Sequence, residues 1–175
     1  PSVDLNQHEK NAYDEHCLEV EFAGTNLTLS EPAAAVGRVQ LRKLSAFVER
    51  RRQIASHWNS RLPEGIRPQA TPPGYVHSQH LFTCFVEPEA GLDRDRVGAL
   101  LDQAGVEIHL RYFPLHLLPE WRFRGHRFGE CPTAERVWFE QQLNLPIYPS
   151  LSDAQVDFVA DQLARVVASL RTGHR

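Results

Sequence analysis

Residues 80–113 read HLFTCFVEPEAGLDRDRVGALLDQAGVEIHLRYF, and the signals in this stretch predict a strand, a helix and a second strand. His80–Val86 is apolar on both faces, as expected of a buried central strand. Asp93 is placed to cap the helix, and Gly105 is placed to end it. The stretch therefore predicts a small sheet that is covered on one face by helices.

The second strand, Val106–Phe113, is predicted from its strict alternation between an apolar and a polar face. The predicted core face carries Val106, Ile108, Leu110 and Tyr112, and the other face carries Glu107, His109, Arg111 and Phe113. An arginine fork on a strand face suits a carboxylate or a phosphate. Alternatively, Arg111 pairs with Glu107, so a binding role and a structural role both remain open.

Upstream of this stretch, a long helix is predicted over residues 31–62, with Ser30 as its N-cap and Pro63 as its stop. Residues 1–23 are interpreted as an irregular arm with a short strand at Leu18–Phe22. Residues 63–75 are rich in proline and glycine and are predicted to form a loop. We place the domain boundary between residues 23 and 24, with a helix at 24–62 and a small α+β domain at 63–175.

Downstream, residues 114–131 are predicted to form a long loop, which in a compact domain is often functional. A short helix is expected from Thr133, a short extended segment at residues 143–149, and a final helix behind the capping box of Ser152 and Gln155. The predicted fold class is α+β, with a long N-terminal helix and a small sheet covered by helices.

Composition excludes several classes of protein. The chain has 175 residues and a net charge of −3, which argues against a nucleic-acid binder, and the run Arg50–Arg52 is interpreted as a solvated helix face. Three cysteines without a CxxC pair predict reduced thiols in a cytoplasmic protein. No apolar run reaches the roughly 18 residues of a membrane helix, so no membrane contact is expected. The chain contains no Met and begins at Pro1, which suggests a piece of a longer protein.

No local motif marks a complete enzyme. The sequence lacks G-x-S-x-G, G-x-G-x-x-G and G-K-[ST] motifs. His109 and His116 match no common zinc spacing, so no metal site is expected.

Four blocks of the sequence match a known family pattern. GTNLTLSEPAAAVGRVQL from Gly24 is similar to G-x-N-x-R-x-[ST]-E-x-x-A-A-x-G-x-x-Q-L. The later blocks are HSQHLF at His77–Phe82, GVEIHLRYFPLHLLP at Gly105–Pro119 and LNLPIYPSLSDAQVDFVADQL at Leu143–Leu163. In their order and spacing the four blocks resemble the DegT/DnrJ/StrS family of PLP-dependent sugar aminotransferases, and together they cover roughly residues 24–170.

The resemblance implies the C-terminal part of a fold-type-I enzyme that moves an amino group, usually from glutamate, to a nucleotide-linked keto-sugar. Such enzymes work as homodimers and hold PLP on a lysine of an N-terminal domain. It implies that Asn26 reaches the PLP phosphate of a neighbouring subunit, although Thr28 stands where the family has arginine. It also implies substrate contacts by four residues, which are His109, Arg111, Tyr112 and His116.

Lys10 and Lys43 do not lie in a family Schiff-base motif, so we expect no catalytic residue here and no covalently bound PLP. The first hypothesis is therefore the C-terminal part of a sugar aminotransferase, which is inactive without a large-domain partner. The alternative is a free-standing module for binding or dimerisation. A small enzyme built on His109 and His116 is a third hypothesis. The first hypothesis also predicts self-association through exposed apolar surface.

Overall fold

The computed structural model describes residues 27–172, and the chain divides into two compact units, Pro1–Val39 and Gln40–Arg175. In the first unit, the Ala34 amide donates to the Ser30 carbonyl at 2.9 Å, which opens helix α1 at Glu31 as predicted. The predicted arm, its strand at Leu18–Phe22 and the boundary after residue 23 all lie outside the described residues.

Helix α1 spans Glu31–Asn59, and its last turns build one wall of the core of the second unit. Ile54, Ala55 and Trp58 are buried, and the Trp58 indole donates to the carbonyl of Val156 at 2.9 Å. The Trp58 ring lies 5.1 Å from that of Phe82, in an edge-to-face arrangement. The helix stops three residues before the predicted end at residue 62, because the chain turns where the Arg61 amide bonds the Trp58 carbonyl.

The sheet has three antiparallel strands in the order β1 (Ile66–Pro68), β2 (Phe82–Val86) and β3 (Gln142–Leu145). β2 is the central strand, as predicted. The loop prediction for residues 63–75 is wrong at β1. Proline is tolerated there because β1 is an edge strand, where Pro68 needs no amide hydrogen on its outer side.

Helix α2 spans Arg94–Gln103 and begins and ends as its sequence predicts. The Asp93 carboxylate accepts from the Arg96 amide at 2.7 Å, and Gly105 takes φ +85° after the last turn. α2 packs against the final helix, α5, which spans Asp153–Thr172. These helices, the sheet and the end of α1 enclose one hydrophobic core, so the predicted α+β class is confirmed.

The capping box before α5 is confirmed. The Ser152 amide donates to the Gln155 side chain at 2.9 Å, and the Gln155 amide donates to the Ser152 hydroxyl at 3.3 Å. The predicted inner face of α5 is buried at all six positions, which are Val156, Val159, Leu163, Val166, Val167 and Leu170.

The strand predicted at Val106–Phe113 is wrong. This segment makes a single antiparallel bridge, between His109 and Asn144, and is otherwise irregular. Beyond the bridge, the Arg111 carbonyl is taken by side-chain amides of β3, those of Gln142 and Asn144, instead of by a backbone ladder. The predicted core face is accordingly buried at Val106 but exposed at its far end.

Residues 114–131 are less irregular than the predicted loop. They contain a 3₁₀ turn at Leu115–Leu117 and a short helix α3 at Pro119–Phe123. Helix α4 follows at Pro132–Arg136 and continues into a π-helical turn at Val137–Gln141. The π-helical turn leads directly into β3 at Gln142.

Two arginines of the run Arg50–Arg52 bond to other segments of the chain, so the interpretation of a solvated face is wrong for Arg50 and Arg51 and holds for Arg52. Arg50 bonds the Leu151 carbonyl and the Asp153 carboxylate, both at 2.7 Å. Arg51 bonds the Ser78 carbonyl at 3.0 Å. The run thus fastens α1 to the start of α5 and to the segment before β2.

The buried guanidinium of Arg94 closes the π-helical turn. It donates to the carbonyls of Trp138 and Gln142 at 2.9 Å and to that of Phe139 at 2.6 Å. Its Nε also pairs with Asp95 at 2.6 Å. Carbonyls at a helix end have no hydrogen-bond partner within the helix. The guanidinium of Arg94, which lies on α2, supplies the missing donors to the end of the π-helical turn.

We expect R94M to lower the free energy of unfolding by about 3 kcal/mol, because methionine fills similar space but leaves three carbonyls without a donor. The matched control is R96M, since Arg96 lies on the exposed side of the same helix. R96M should change stability by less than about 0.5 kcal/mol. Equal urea midpoints for R94M and the wild type would contradict this role.

Candidate functional site

Asn144 is the buried polar residue that fixes the segment on which most predicted site residues lie. Its side-chain oxygen accepts from the Thr83 hydroxyl at 2.9 Å, across the β2–β3 pair. Its backbone exchanges two hydrogen bonds with His109, at 3.2 and 3.5 Å. Its amide nitrogen reaches the Arg111 carbonyl at 3.5 Å. A side chain in the core of the sheet therefore sets where residues 109–111 run.

His109, Arg111 and Tyr112 present their side chains at the surface of this segment. The His109 ring lies 3.2 Å from the Glu107 carboxylate, so Glu107 pairs with His109 and the predicted alternative of a Glu107–Arg111 pair is not formed. Within residues 27–172, the Arg111 guanidinium makes no hydrogen bond or ion pair. Tyr112 is 70% exposed. The exposed guanidinium and phenol are available to a ligand, and their substrate role stays a prediction.

His116 lies apart from these three residues, against the buried carboxylate of Glu135. Its Nε2 is 2.7 Å from Glu135 Oε1, and the two side chains are only 12% and 4% exposed. This contact is typical of a positioning role, and direct substrate contact by His116 stays a prediction.

Glu135 also accepts hydrogen bonds from two backbone amides. Both of its oxygens are 2.9 Å from the Gly129 nitrogen, and Oε1 is 3.2 Å from that of Cys131. Burial by itself would raise the pKa of this carboxyl, but the hydrogen bonds from His116, Gly129 and Cys131 outweigh it and lower the pKa. The residue is therefore an anion that holds the 3₁₀ turn and residues 129–131 to α4.

We call the contacts of Glu135 with His116, Gly129 and Cys131 the Glu135 clasp. An open groove of about 890 Å³, lined in part by Leu117 and Phe128, lies beside this clasp. We call it the arginine–aromatic groove. Its main lining residues are Phe113, Phe123, Phe128, Phe139, Arg122 and Arg127. A volume near the upper end of the roughly 300–1,000 Å³ typical of ligand sites makes it a candidate binding site.

Sequence reasoning missed Glu135 and Asn144. A weak signal for Glu135 is an acidic residue in the first turn of a helix that begins with proline. An asparagine inside the apolar run 143–147 is the corresponding signal for Asn144, because a polar residue in a buried strand needs a partner. Asn26, the predicted cofactor contact, lies outside the described residues.

Solved structures share this architecture, in which a long helix precedes a small antiparallel sheet that is covered by helices. The aminotransferase TlmJ from Streptoalloteichus hindustanus matches 87% of this chain with a TM-score of 0.75 and 34% identity, over 40% of its own length. The putative sugar aminotransferase Spr1654 from Streptococcus pneumoniae, solved in a PLP form, matches 82% of this chain over 37% of its own length, with 26% identity and a TM-score of 0.73. The fold is that of the C-terminal part of sugar aminotransferases.

The chain belongs to the DegT/DnrJ/EryC1/StrS aminotransferase family, whose model matches residues 4–164. Among curated relatives, the dTDP-4-dehydro-2,3,6-trideoxy-D-glucose 4-aminotransferase of Saccharopolyspora spinosa is 36% identical over 155 residues. That match covers 86% of this chain and 38% of the relative. The chain thus spans about two fifths of the length of such relatives.

The described residues do not fit a covalent PLP site. PLP enzymes of this kind hold the cofactor on a lysine beside a carboxylate that meets the pyridine nitrogen. Lys43 is the lysine within residues 27–172, and it is exposed on α1, far along the sequence from every residue of the groove. In the same part of the chain, no group of three His, Cys, Asp or Glu residues could hold a metal ion. No helix there is long and apolar enough to cross a membrane.

We expect E135Q to loosen residues 129–131 because a neutral amide accepts fewer and weaker hydrogen bonds than a carboxylate. Amide hydrogen exchange at Gly129 and Cys131 should become faster, whereas exchange in β2 should stay unchanged. E140Q is the matched control, since Glu140 is exposed in the following turn. Unchanged protection at Gly129 in E135Q would contradict the clasp.

The same variant should alter the acid dependence of stability. Because the folded state lowers the pKa of Glu135 from its ordinary 4.5, its stabilisation is complete above pH 4.5 and is lost as the pH falls through the folded pKa. The free energy of unfolding should therefore fall less steeply below pH 4.5 in E135Q than in the wild type. Parallel curves for the two proteins, measured by urea unfolding, would count against this assignment.

Proposed function

We propose that this chain is the C-terminal, substrate-facing part of a PLP-dependent nucleotide-sugar aminotransferase and that it does not catalyse amino transfer alone. In the whole enzyme, an amino group passes from glutamate to a keto-sugar. Family membership and the sugar-aminotransferase relatives support the activity of the whole protein. The proposed inability of this chain to catalyse amino transfer alone is supported by the positions of its two lysines.

The observation that carries this proposal is the placement of Lys43. A Schiff-base lysine must be held in a pocket beside the cofactor, where its amine is desolvated or paired so that it can act as a nucleophile. Lys43 is exposed on a helix, and Lys10 stands in a polar N-terminal stretch without a family motif. A large domain on the same or another polypeptide would supply the missing lysine.

The proposed substrate contacts are His109, Arg111 and Tyr112, whose side chains are exposed on one segment held by Asn144. Arg111 suits a phosphate or carboxylate because its fork gives two parallel hydrogen bonds. His116, which is held by Glu135, is proposed as a fourth substrate contact. Asn26 is proposed to reach a cofactor phosphate. We also propose that residues 24–62 form the linking helix and that residues 63–175 form the small domain.

Titration of the purified chain with PLP should produce no Schiff-base absorbance band, and glutamate with a dTDP-linked keto-sugar should give no amino transfer. K43A should behave identically, because Lys43 has no cofactor role in this account. A visible band or turnover that disappears in K43A would overturn the proposal.

The exposed apolar residues of α1 in the second unit support self-association. Leu41 and Leu44 are exposed, although helix geometry puts Leu44 on the same side of α1 as the buried Ala55 and Trp58. The same observation favours the second candidate function, a non-catalytic pairing module. We propose a homodimer that uses this surface.

Sedimentation at micromolar concentration should show a dimer for the wild type and a monomer for L44E, because a buried carboxylate in an apolar interface is strongly unfavourable. A46E is the matched control, since Ala46 lies on the opposite side of the helix and is exposed. It should remain dimeric. A monomeric wild type would refute this proposal.

A further inference from the structure

A small polar pocket lies between the last turns of α1 and the segment 71–79, which precedes β2. We call it the α1 pocket. Its volume is about 220 Å³, below the roughly 300–1,000 Å³ of sites for larger ligands. Its lining shares no residue with the arginine–aromatic groove or with the segment 109–116. The main polar lining residues are Arg52, Ser56, Asn59, Tyr75, His77 and Gln79.

Three of these residues stand on one face of α1. Arg52, Ser56 and Asn59 follow one another at helical spacing, so their side chains lie one above the other along the same side of the helix. All three residues are exposed. Within residues 27–172, the side chains of Ser56 and Asn59 make no hydrogen bond to another protein group. Their hydroxyl and amide groups are therefore available to a ligand.

The segment opposite α1 contributes a donor whose hydrogen position the backbone fixes. The Gln79 amide donates to Nδ1 of His77 at 2.9 Å, and Gln79 takes a left-handed φ of +51°. A ring nitrogen that accepts a hydrogen bond carries no hydrogen, so the ring hydrogen of His77 is on Nε2. His77 is half-buried in the pocket lining and offers this Nε2 as a donor. The phenol of Tyr75, which is 75% exposed, adds a hydroxyl on the same side.

The charge of the α1 pocket favours an anion. Among the described residues, its lining contains the guanidinium of Arg52 and no carboxylate. Arg52 is paired with Glu49 at 3.3 Å, but both side chains are about half exposed, and such pairs contribute little. A ligand of higher negative charge can therefore take the guanidinium from Glu49. Arg51 adds positive charge nearby, because it bonds the Ser78 carbonyl of the opposite segment.

We propose that the α1 pocket binds a phosphate group, either as the free ion or as the end of a small phosphate monoester. Donors stand on two sides of the pocket, and a tetrahedral phosphate has oxygens that point toward both. A carboxylate has two oxygens in one plane and would leave one side without an acceptor. The fork of Arg52 matches two phosphate oxygens. A neutral ligand would leave Arg52 with Glu49.

A bound phosphate would link α1 to the segment 71–79 at a second point, beside the bond between Arg51 and Ser78. The pocket exists in the folded chain, so its ligand raises the free energy of unfolding. Phosphate would thus act on the attachment of α1 to the small domain. This inference does not depend on the proposed function, because the pocket shares no residue with the proposed cofactor and substrate contacts.

The test is titration of the nitrogen-labelled full chain with inorganic phosphate, in a buffer without sulfate or other phosphate. NMR signals of the Ser56 and Gln79 amides should shift together with one dissociation constant of about 1 mM or tighter. Methyl phosphate is the probe for a monoester, and acetate is the probe for a carboxylate. Tighter binding of methyl phosphate assigns a monoester, tighter binding of inorganic phosphate assigns the free ion, and either result supports the proposal. Acetate that binds as tightly as phosphate would overturn it.

Three variants connect the shifts to the pocket. R52Q should weaken phosphate binding by about tenfold, because it removes the charged donor, and S56A should weaken it by about threefold. E49Q should tighten binding by about threefold, because glutamine competes less well for Arg52. A purely structural role of the pair between Glu49 and Arg52 would not produce this tightening. R42Q is the matched control, since Arg42 is exposed on α1 outside the pocket, and it should bind within about twofold of the wild type.

The substituted side chains are exposed, and unchanged melting temperatures without phosphate would show that the variants fold. With phosphate present, the melting temperature of the wild type should rise more than that of R52Q. The comparison with R52Q is needed because phosphate also stabilises proteins by exclusion from their surface. The inference is overturned if the shifts do not saturate by about 10 mM phosphate, if R52Q binds like the wild type, or if R42Q weakens binding as much as R52Q.

Discussion

The carboxylate of Glu135 joins three pieces of chain that have no regular secondary structure in common. It stands in the first turn of α4, meets the His116 ring at 2.7 Å and accepts from the amides of Gly129 and Cys131. A buried anion of this kind is tolerable only when its oxygens are fully hydrogen-bonded, and these contacts meet that requirement. The arginine–aromatic groove depends on the clasp because Leu117 and Phe128 follow His116 and precede Gly129 directly.

In the helices and sheet next to the groove, other buried polar side chains also link separate elements by hydrogen bonds. Arg94 ends the π-helical turn from α2, Asn144 links two strands to the segment at 109–111, and the Trp58 indole joins α1 to α5. Arg94, Asn144 and Trp58 each bond to a different element, so side chains tie the helices to the three-stranded sheet of the described residues. Rigid placement of short segments is what a binding site built on them needs.

The sequence predicts those features of the fold that depend on interactions between residues close together in the chain. The cap at Asp93, the turn at Gly105 and the box of Ser152 and Gln155 depend on residues within a few positions, and all three were predicted correctly. The strand predicted at 106–113 is wrong, because the side-chain amides of Gln142 and Asn144, 31 and 33 residues away, bond the Arg111 carbonyl. Glu135 and its partner His116 are 19 residues apart, so neither residue alone predicts the clasp.

The chain belongs to the DegT/DnrJ/EryC1/StrS aminotransferase family, and the lysine among residues 27–172, Lys43, is exposed on α1. Our central proposal is that this chain does not hold PLP covalently by itself. A crystal structure of the chain soaked with PLP tests it most directly. The account predicts no covalent bond between PLP and Lys43 Nζ. Continuous electron density from PLP to Lys43 Nζ would contradict it.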